Sequence, residues 1–144
     1  MAGTSLDRVV LDTSYILRII FSEDYEFFVY LNYRYGIELF TCRQQIDELA
    51  SALNYPRVKK LLKAKPEKLI GFFKKHSIEL KVEERFDRIP DVKDNYLVDL
   101  AYASKSYYIV SGDKQVLNLK HVGKIQIISA FRFRQLLRER HPLI

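Results

Sequence analysis

Short runs of β-branched and apolar residues alternate along the chain with longer segments that repeat apolar residues at helical spacing. Five of the short runs are predicted to be strands, with the sequences RVVLD, IELFT, SIELKV, YYIVSGD and KIQIIS. Five longer segments are predicted to be helices, namely TSYILRIIF, EDYEFFVYLNYRYG, CRQQIDELASALNY, DNYLVDLAYASKS and AFRFRQLLRER. A basic stretch, RVKKLLKAKPEKLIGFFKKH, is predicted to form two short helices separated at Pro66. Because parallel strands need crossover connections, this alternation indicates an α/β fold, a parallel sheet with helices on both faces.

Particular residues indicate where the helices begin and end. Thr13 or Ser14 is suited to cap the first helix, since a side-chain hydroxyl accepts a hydrogen bond from a free backbone N–H. Gly36 stands where glycine closes the second helix, and Pro56 ends the third. The chain has no linker, repeat or low-complexity tract, so its 144 residues are predicted to form one domain, residues 1–144.

The composition excludes several classes of protein. Hydrophobic residues make up 48% of the chain, yet no apolar stretch approaches the roughly 20 residues of a membrane span. The first residues, MAGTSLDR, lack the basic-then-apolar order of a signal peptide. Cys42 is the only cysteine and has no disulfide partner within the chain, and no Cys or His residues are spaced for structural zinc. A cytoplasmic location is therefore expected.

The net charge of +6 is concentrated in two places. Between Arg57 and Lys75, eight Lys or Arg residues face a single acid, Glu67, and four arginines fall between Arg132 and Arg140. Such patches attract phosphate backbones by releasing counterions, although a solvated helix face has the same composition. The candidates for contact with nucleic acid are Arg57, Lys59, Lys60, Lys63 and Lys65.

Four acidic residues follow the predicted strands. Asp12 ends the first strand, Glu48 lies in the second turn of the helix after the second, Asp94 opens the helix after the third, and Asp113 follows the fourth. All four fall at the sheet edge where open α/β folds place their ligands. Singly, three of them are equally explained as caps or turn residues, and Glu48 as a solvated side chain.

Considered together, the four carboxylates point to a metal. Carboxylates that converge on one small volume repel one another, and a divalent cation relieves that repulsion. Oxygen-only ligands favour Mg²⁺ or Mn²⁺ over zinc. Such ions promote phosphodiester hydrolysis by activating a water and offsetting charge on the phosphate and the leaving oxygen. The four acids are therefore candidates for both metal binding and catalysis.

The chain resembles the PIN-domain family, and within it the toxin branch of bacterial and archaeal toxin–antitoxin systems. The resemblance is carried, in order, by VVLDTSYILRIIFS, FTCRQQIDELASALNYPRV, DVKDNYLVDLAYASKSYYIVSGDKQVL and IQIISAFRF. The family's four metal-binding acids correspond to Asp12, Glu48, Asp94 and Asp113. Ala101, seven residues after Asp94, and the hydroxyl of Ser111 in the Ser-Gly-Asp turn complete the match.

The resemblance implies a three-layer α/β/α sandwich with a five-stranded parallel sheet, usually dimeric. It also implies a Mg²⁺- or Mn²⁺-dependent endoribonuclease whose substrate is RNA and which a cognate antitoxin protein holds in check. Family members commonly have Asn where this chain has Ser14, which affects the positioning of the acids more than metal binding itself. The residues expected to support the acids are Thr13, Ser14, Ser111 and Asp99.

Two other functions are compatible with the sequence. The first is a non-catalytic PIN-like module that binds RNA or a partner protein and retains the fold with incomplete chemistry. The second is a DNA-directed nuclease of the flap type, which the short chain favours less because it has no evident extra element to thread a flap. Metal-dependent stabilisation together with RNA cleavage separates the endoribonuclease from the binding module.

Overall fold

A computed structural model describes residues 5–83 and 95–140 of the chain. Strands in these ranges form one sheet, consisting of Arg8–Leu11 (β1), Glu38–Thr41 (β2), Ser77–Glu79 (β3), Tyr108–Ser111 (β4), His121–Val122 (β5) and Ile125–Ser129 (β6). Their order across the sheet is β3-β2-β1-β4-β6-β5. Each neighbouring pair is parallel except β5 with β6. The five predicted strands and their parallel arrangement are confirmed.

At one edge the sheet departs from the predicted five parallel strands. The short strand β5 runs antiparallel to β6 across a tight turn in which Gly123 has φ +57°. Glycine adopts this left-handed angle without the steric cost that a side chain brings. A strand as short as His121–Val122 is too brief to give an alternating pattern, so the sequence did not predict it.

Helices connect the strands. Those in the described ranges are Thr13–Phe21 (α1), Glu26–Tyr33 (α2), Arg43–Asn54 (α3), Pro56–Lys59 (α4), Pro66–Lys75 (α5), Asn95–Ser104 (α6), Lys114–Asn118 (α7) and Ala130–Arg140 (α8). The basic stretch forms α4 and α5, with Pro66 as the first residue of the second, as predicted. The short helix α7 was not predicted. No helix in the described ranges has the length and apolar character needed to cross a membrane.

Alternate residues of the central strand β1 are buried on opposite faces of the sheet. Val9 and Leu11 belong to one hydrophobic cluster, together with side chains of α1, α2, α3, α5 and α8. Val10 belongs to a second cluster, together with side chains of α6 and α7. Strands that are covered on both faces are apolar at successive positions, which explains the uninterrupted run of β1. The three layers of an α/β/α sandwich follow.

The first helix is capped by a different residue from the predicted Thr13 or Ser14. Asp12 is the N-cap of α1, and its side chain makes no capping hydrogen bond. The backbone N–H of Asp12 donates to the carbonyl of Val110 on β4 at 2.7 Å, so the chain is still held beside the sheet at this residue. The helix therefore begins directly after Asp12, and its carboxylate is left for other partners.

The second helix ends earlier than Gly36. Its C-cap is Arg34, and Gly36 turns the chain two residues later with φ +66°. The N–H of Ile37 then donates to the carbonyl of Leu31 at 2.7 Å, which directs the chain into β2. Gly36 supplies the left-handed turn that the sequence predicted, but not as the cap itself.

Candidate active site

The candidate site lies where the order of the strands reverses. From β1 the chain proceeds to β2 and β3 on one side, and β4 and β6 lie on the other side. The carboxyl ends of β1 and β4 are therefore neighbours at the switch point, the place where open α/β sheets bind ligands. Asp12 follows β1, and Gly112 and Asp113 follow β4.

Asp12 is a buried carboxylate held by two hydroxyl groups. Only 4% of the residue is exposed, and its Oδ2 accepts hydrogen bonds from Ser111 Oγ at 2.6 Å and Ser14 Oγ at 3.1 Å. Burial raises the pKa of Asp12 because it disfavours the charged form, and the negative charge of Asp113 raises it further. The two hydroxyls act in the opposite direction. The site thus places a carboxylate where its charge is only partly compensated.

The turn after β4 is tied to the turn after β1. The N–H of Gly112 donates to Ser14 Oγ at 3.2 Å, and the N–H of Asp113 donates to Ser111 Oγ at 3.0 Å. Asp113 is half-buried, and its Oδ1 accepts from the N–H of Gln115 at 2.9 Å, which makes it the N-cap of α7. Capping uses one oxygen of Asp113, and its charge still acts on Asp12.

Glu48 belongs to an adjacent group of hydrogen bonds. Its Oε1 accepts from Thr13 Oγ1 at 3.1 Å and from the hydroxyl of Tyr96, and the two hydroxyls of Thr13 and Tyr96 lie 3.0 Å apart. Burial raises the pKa of Tyr96 far above its ordinary value, and the hydrogen bond to Glu48 acts in the same direction. Because Thr13 directly follows Asp12, this group joins the first through the backbone.

Sequence reasoning missed Tyr96. It is 3% exposed and lies among apolar residues of α6, where a tyrosine is usual in a helix core. Tyr96 and Glu48 are 48 positions apart in the sequence, so no local spacing of residues predicts their contact. The only indication is a general one, that the hydroxyl of a buried tyrosine needs a polar partner.

We expect Tyr96→Phe to lower the free energy of unfolding by about 1–3 kcal/mol, because Glu48 loses a donor that satisfies its charge. Urea denaturation followed by circular dichroism measures this. The matched control is Tyr33→Phe, since Tyr33 is 80% exposed and its hydroxyl is expected to matter little. Equal urea midpoints for the two variants would show that the Tyr96 hydroxyl does not hold Glu48.

The remaining predicted site residues are placed as follows. Asp99 is buried on α6, one helical turn after Tyr96. Asp94 lies outside the described residues. In the ranges that the structure describes, no three Asp, Glu, His or Cys residues are grouped closely enough to hold one ion. Asp12, Glu48 and Asp113 are thus brought to one edge, but as two neighbouring groups.

The donor chemistry fits a hard divalent cation. The side-chain atoms gathered around Asp12 and Glu48 are carboxylate and hydroxyl oxygens. Burial is the main cause of the raised pKa of Asp12 and the charge of Asp113 adds to it, and a cation would offset both by stabilising the ionised form. Mg²⁺ and Mn²⁺ prefer such oxygen ligands.

The five basic candidates for nucleic-acid contact are all exposed. They lie on α4, on the segment after it and at the residue before α5, and they are Arg57, Lys59, Lys60, Lys63 and Lys65. Lys63 pairs with Glu23, just beyond α1, at 3.3 Å. This contact brings the basic segment to the end of the same helix that begins at Asp12.

Comparison with known proteins identifies one family. A family model described as the PIN domain matches residues 8–115, which extend from β1 to the start of α7 and include the four predicted acids. A search of curated proteins gave no match.

Proposed function

The chain belongs to the PIN-domain family, whose members are generally nucleases that use divalent metals, and from this premise we propose that it is a Mg²⁺- or Mn²⁺-dependent endoribonuclease. The substrate is RNA, and the reaction is hydrolysis of an internal phosphodiester bond. The proposal extends to a cellular role as the toxin of a toxin–antitoxin pair, acting as a homodimer in the cytoplasm and inhibited by a cognate antitoxin protein.

The observation that carries the proposal is the environment of Asp12. A carboxylate that is 4% exposed, repelled by Asp113 and held by two hydroxyls is costly to keep in a fold unless it serves a cation. Its position at the switch point of the sheet is the position of a ligand site. The ligands that we assign are Asp12, Glu48, Asp94 and Asp113.

The other residues of the site orient these acids. Ser111 and Ser14 donate to Oδ2 of Asp12 and so fix the orientation of the carboxylate. Thr13 and Tyr96 fix Oε1 of Glu48 in the same way. When bound, a divalent ion supplies the charge that activates a water and stabilises the phosphate in the transition state. The carboxylates hold their geometry throughout, and no side chain forms a covalent bond to the substrate.

Cleavage of labelled single-stranded RNA tests the proposal directly. Purified protein is incubated with the RNA in Mn²⁺, in Mg²⁺ and in EDTA, and the products are separated by length. We expect internal cleavage in at least one ion and none in EDTA. Intact RNA under all three conditions, over a panel of sequences, would contradict the proposal.

Binding of the ion alone is expected to stabilise the fold. At a free Mn²⁺ concentration a hundred times its dissociation constant, the gain is about 2.7 kcal/mol. For a domain of this size the melting temperature should rise by about 5–10 °C. Differential scanning fluorimetry measures the shift, which Asp113→Asn should reduce. Asp47→Asn, an exposed acid next to Glu48 in the chain, should leave it unchanged.

A non-catalytic module that binds RNA or a partner protein is the second candidate. The observation in its favour is that the acids within residues 5–83 and 95–140 form two groups, and neither group contains three residues that could hold one ion. This function predicts neither a Mn²⁺-dependent rise in melting temperature nor cleavage of RNA.

A further inference from the structure

Arg18 occupies a particular position beside the acids. It lies on α1 one turn after Ser14, and its side chain reaches back over the turn that follows β4. A Cβ added at Gly112 would lie 2.8 Å from Nη2 of Arg18 and 3.6 Å from Ser14 Oγ. The guanidinium therefore lies close to the backbone at Gly112, in the turn that precedes Asp113.

The charge of Arg18 is not used by the described fold. Among residues 5–83 and 95–140, no carboxylate forms an ion pair with it, although other surface arginines do so. The side chain is exposed. A guanidinium presents its N–H groups in a planar fork that matches a phosphate. The guanidinium of Arg18, which pairs with no carboxylate in the described ranges, lies next to carboxylates that would hold a cation. It is therefore suited to bind a phosphate that the cation also contacts.

The exposed face of α1 continues outward from Arg18. Ser14, Leu17, Arg18, Phe21 and Ser22 line a shallow depression along this helix. Phe21 ends the helix and is 50% exposed, so its ring is accessible to a ligand that lies along this face. From Ser14 to Phe21 the helix rises about 10 Å, the length of about three stacked nucleotides at about 3.4 Å each.

Phe21 also lines a second groove, which leads to the basic segment. Its other walls include Val58, Leu61 and Lys63, and the exposed Lys59 and Lys60 lie beside them in the chain. Glu23, the acid at this groove, is paired with Lys63. The two depressions share the ring of Phe21, so together they extend from Ser14, which donates to Asp12, to Lys63.

We propose that the exposed face of α1 is a binding track for single-stranded RNA, in which Arg18 contacts a phosphate next to the acids and Phe21 stacks on a base. The basic segment then contacts the phosphates beyond it. This assignment deepens the proposed function and rests on it. RNA is the occupant because the surface combines a guanidinium that pairs with no carboxylate among the described residues, an exposed ring and lysines. Such a set binds a strand through backbone charge and base stacking.

Binding without metal tests the track independently of cleavage. Fluorescence anisotropy of a labelled oligouridylate is measured in EDTA over a series of salt concentrations, for the wild type, Arg18→Ala, Arg18→Lys and Phe21→Ala. The matched controls are Arg34→Ala and Tyr33→Ala, an exposed arginine and an exposed aromatic residue at the opposite edge of the sheet. Melting temperatures verify that all variants are folded.

The two residues should give different signatures. Arg18→Ala is expected to weaken binding and to reduce the slope of log K against log salt by about 0.7, the contribution of one phosphate contact on a single strand. Arg18→Lys should restore the slope but only part of the affinity, because an ammonium lacks the fork. Phe21→Ala should weaken binding about tenfold and leave the slope unchanged. The control variants should bind like the wild type.

Three outcomes would overturn the track. The first is that the wild type has no measurable affinity for the RNA. The second is that the Arg18 and Phe21 variants bind RNA as tightly as the wild type. The third is that Phe21→Ala changes the oligomeric state and leaves RNA binding unchanged, which would make this face a protein interface. The proposed function fails separately, through absence of cleavage in Mn²⁺ and Mg²⁺. If the protein cleaves RNA but its Arg18 and Phe21 variants bind RNA normally, the proposed nuclease function stands and the binding track is wrong.

Discussion

Asp12→Asn is expected to lower the rate of RNA cleavage in Mn²⁺ by on the order of a thousandfold or more. Asparagine has the same size as aspartate and keeps an oxygen that can accept from the Ser111 hydroxyl. In the wild type that hydroxyl lies 2.6 Å from Oδ2 of Asp12. It carries no negative charge, so the site loses a buried carboxylate that we assign as a metal ligand. Cleavage rates over time, measured by gel electrophoresis at saturating Mn²⁺, give the ratio.

The same substitution should leave the metal-free protein at least as stable as the wild type. Because burial and the Asp113 charge raise the pKa of Asp12, the folded state binds its proton more tightly than the unfolded state does. An acid with a raised folded pKa costs stability at pH values above it, where the carboxylate is ionised. Asparagine removes that cost, so the urea midpoint at neutral pH should be equal or higher.

The matched control is Asp47→Asn, which removes the same charge from an exposed acid that pairs with Arg43 at 3.1 Å. Its cleavage rate should stay within about twofold of the wild type, since exposed ion pairs contribute little. The assignment of Asp12 is wrong if the Asp12 and Asp47 variants cleave RNA equally fast. A loss of activity with a lowered urea midpoint would instead point to a damaged fold.

The fold could be predicted to a large extent because its signals are local. The run TSYILRIIF predicted a helix with the bounds Thr13–Phe21 that the structure has. The parallel sheet followed from strands that alternate with helices. The antiparallel β5 and the short α7 escaped prediction because each is too short for its pattern of apolar residues to repeat.

The site could be predicted only in part, because its geometry is made by contacts between distant segments. Strand ends placed Asp12 and Asp113 at the same edge, and the coupling of their charges agrees with this. The hydroxyl of Ser111, which lies 99 residues from Asp12 in sequence, directs that carboxylate. The partner of Glu48, Tyr96, has no local signature at all. The roles of the four acids stay a prediction, with Asp94 outside the described residues.

Phe133→Ala is expected to lower the free energy of unfolding by about 3–5 kcal/mol. Phe133 is on α8, fully buried, and its ring packs edge-on against Tyr15 and Phe27 with centroid distances of 6.4 Å and 6.3 Å. Truncation leaves a cavity beside the two remaining aromatic side chains, Tyr15 and Phe27. Urea denaturation at neutral pH measures the loss.

Helix α8 lies beyond the residues 8–115 that match the family. Tyr15, which Phe133 contacts, is on the first turn of α1, and its N–H donates to the carbonyl of Asp12 at 3.0 Å. A tightly packed α8 therefore supports the helix that starts at the site. The control on the same helix is Phe131→Ala, whose ring is 69% exposed and whose loss should cost less than about 0.5 kcal/mol. If both variants unfold at the same urea concentration, α8 is not part of the core, and α1 must be held by its other contacts, among them that of Tyr15 with Phe27 on α2.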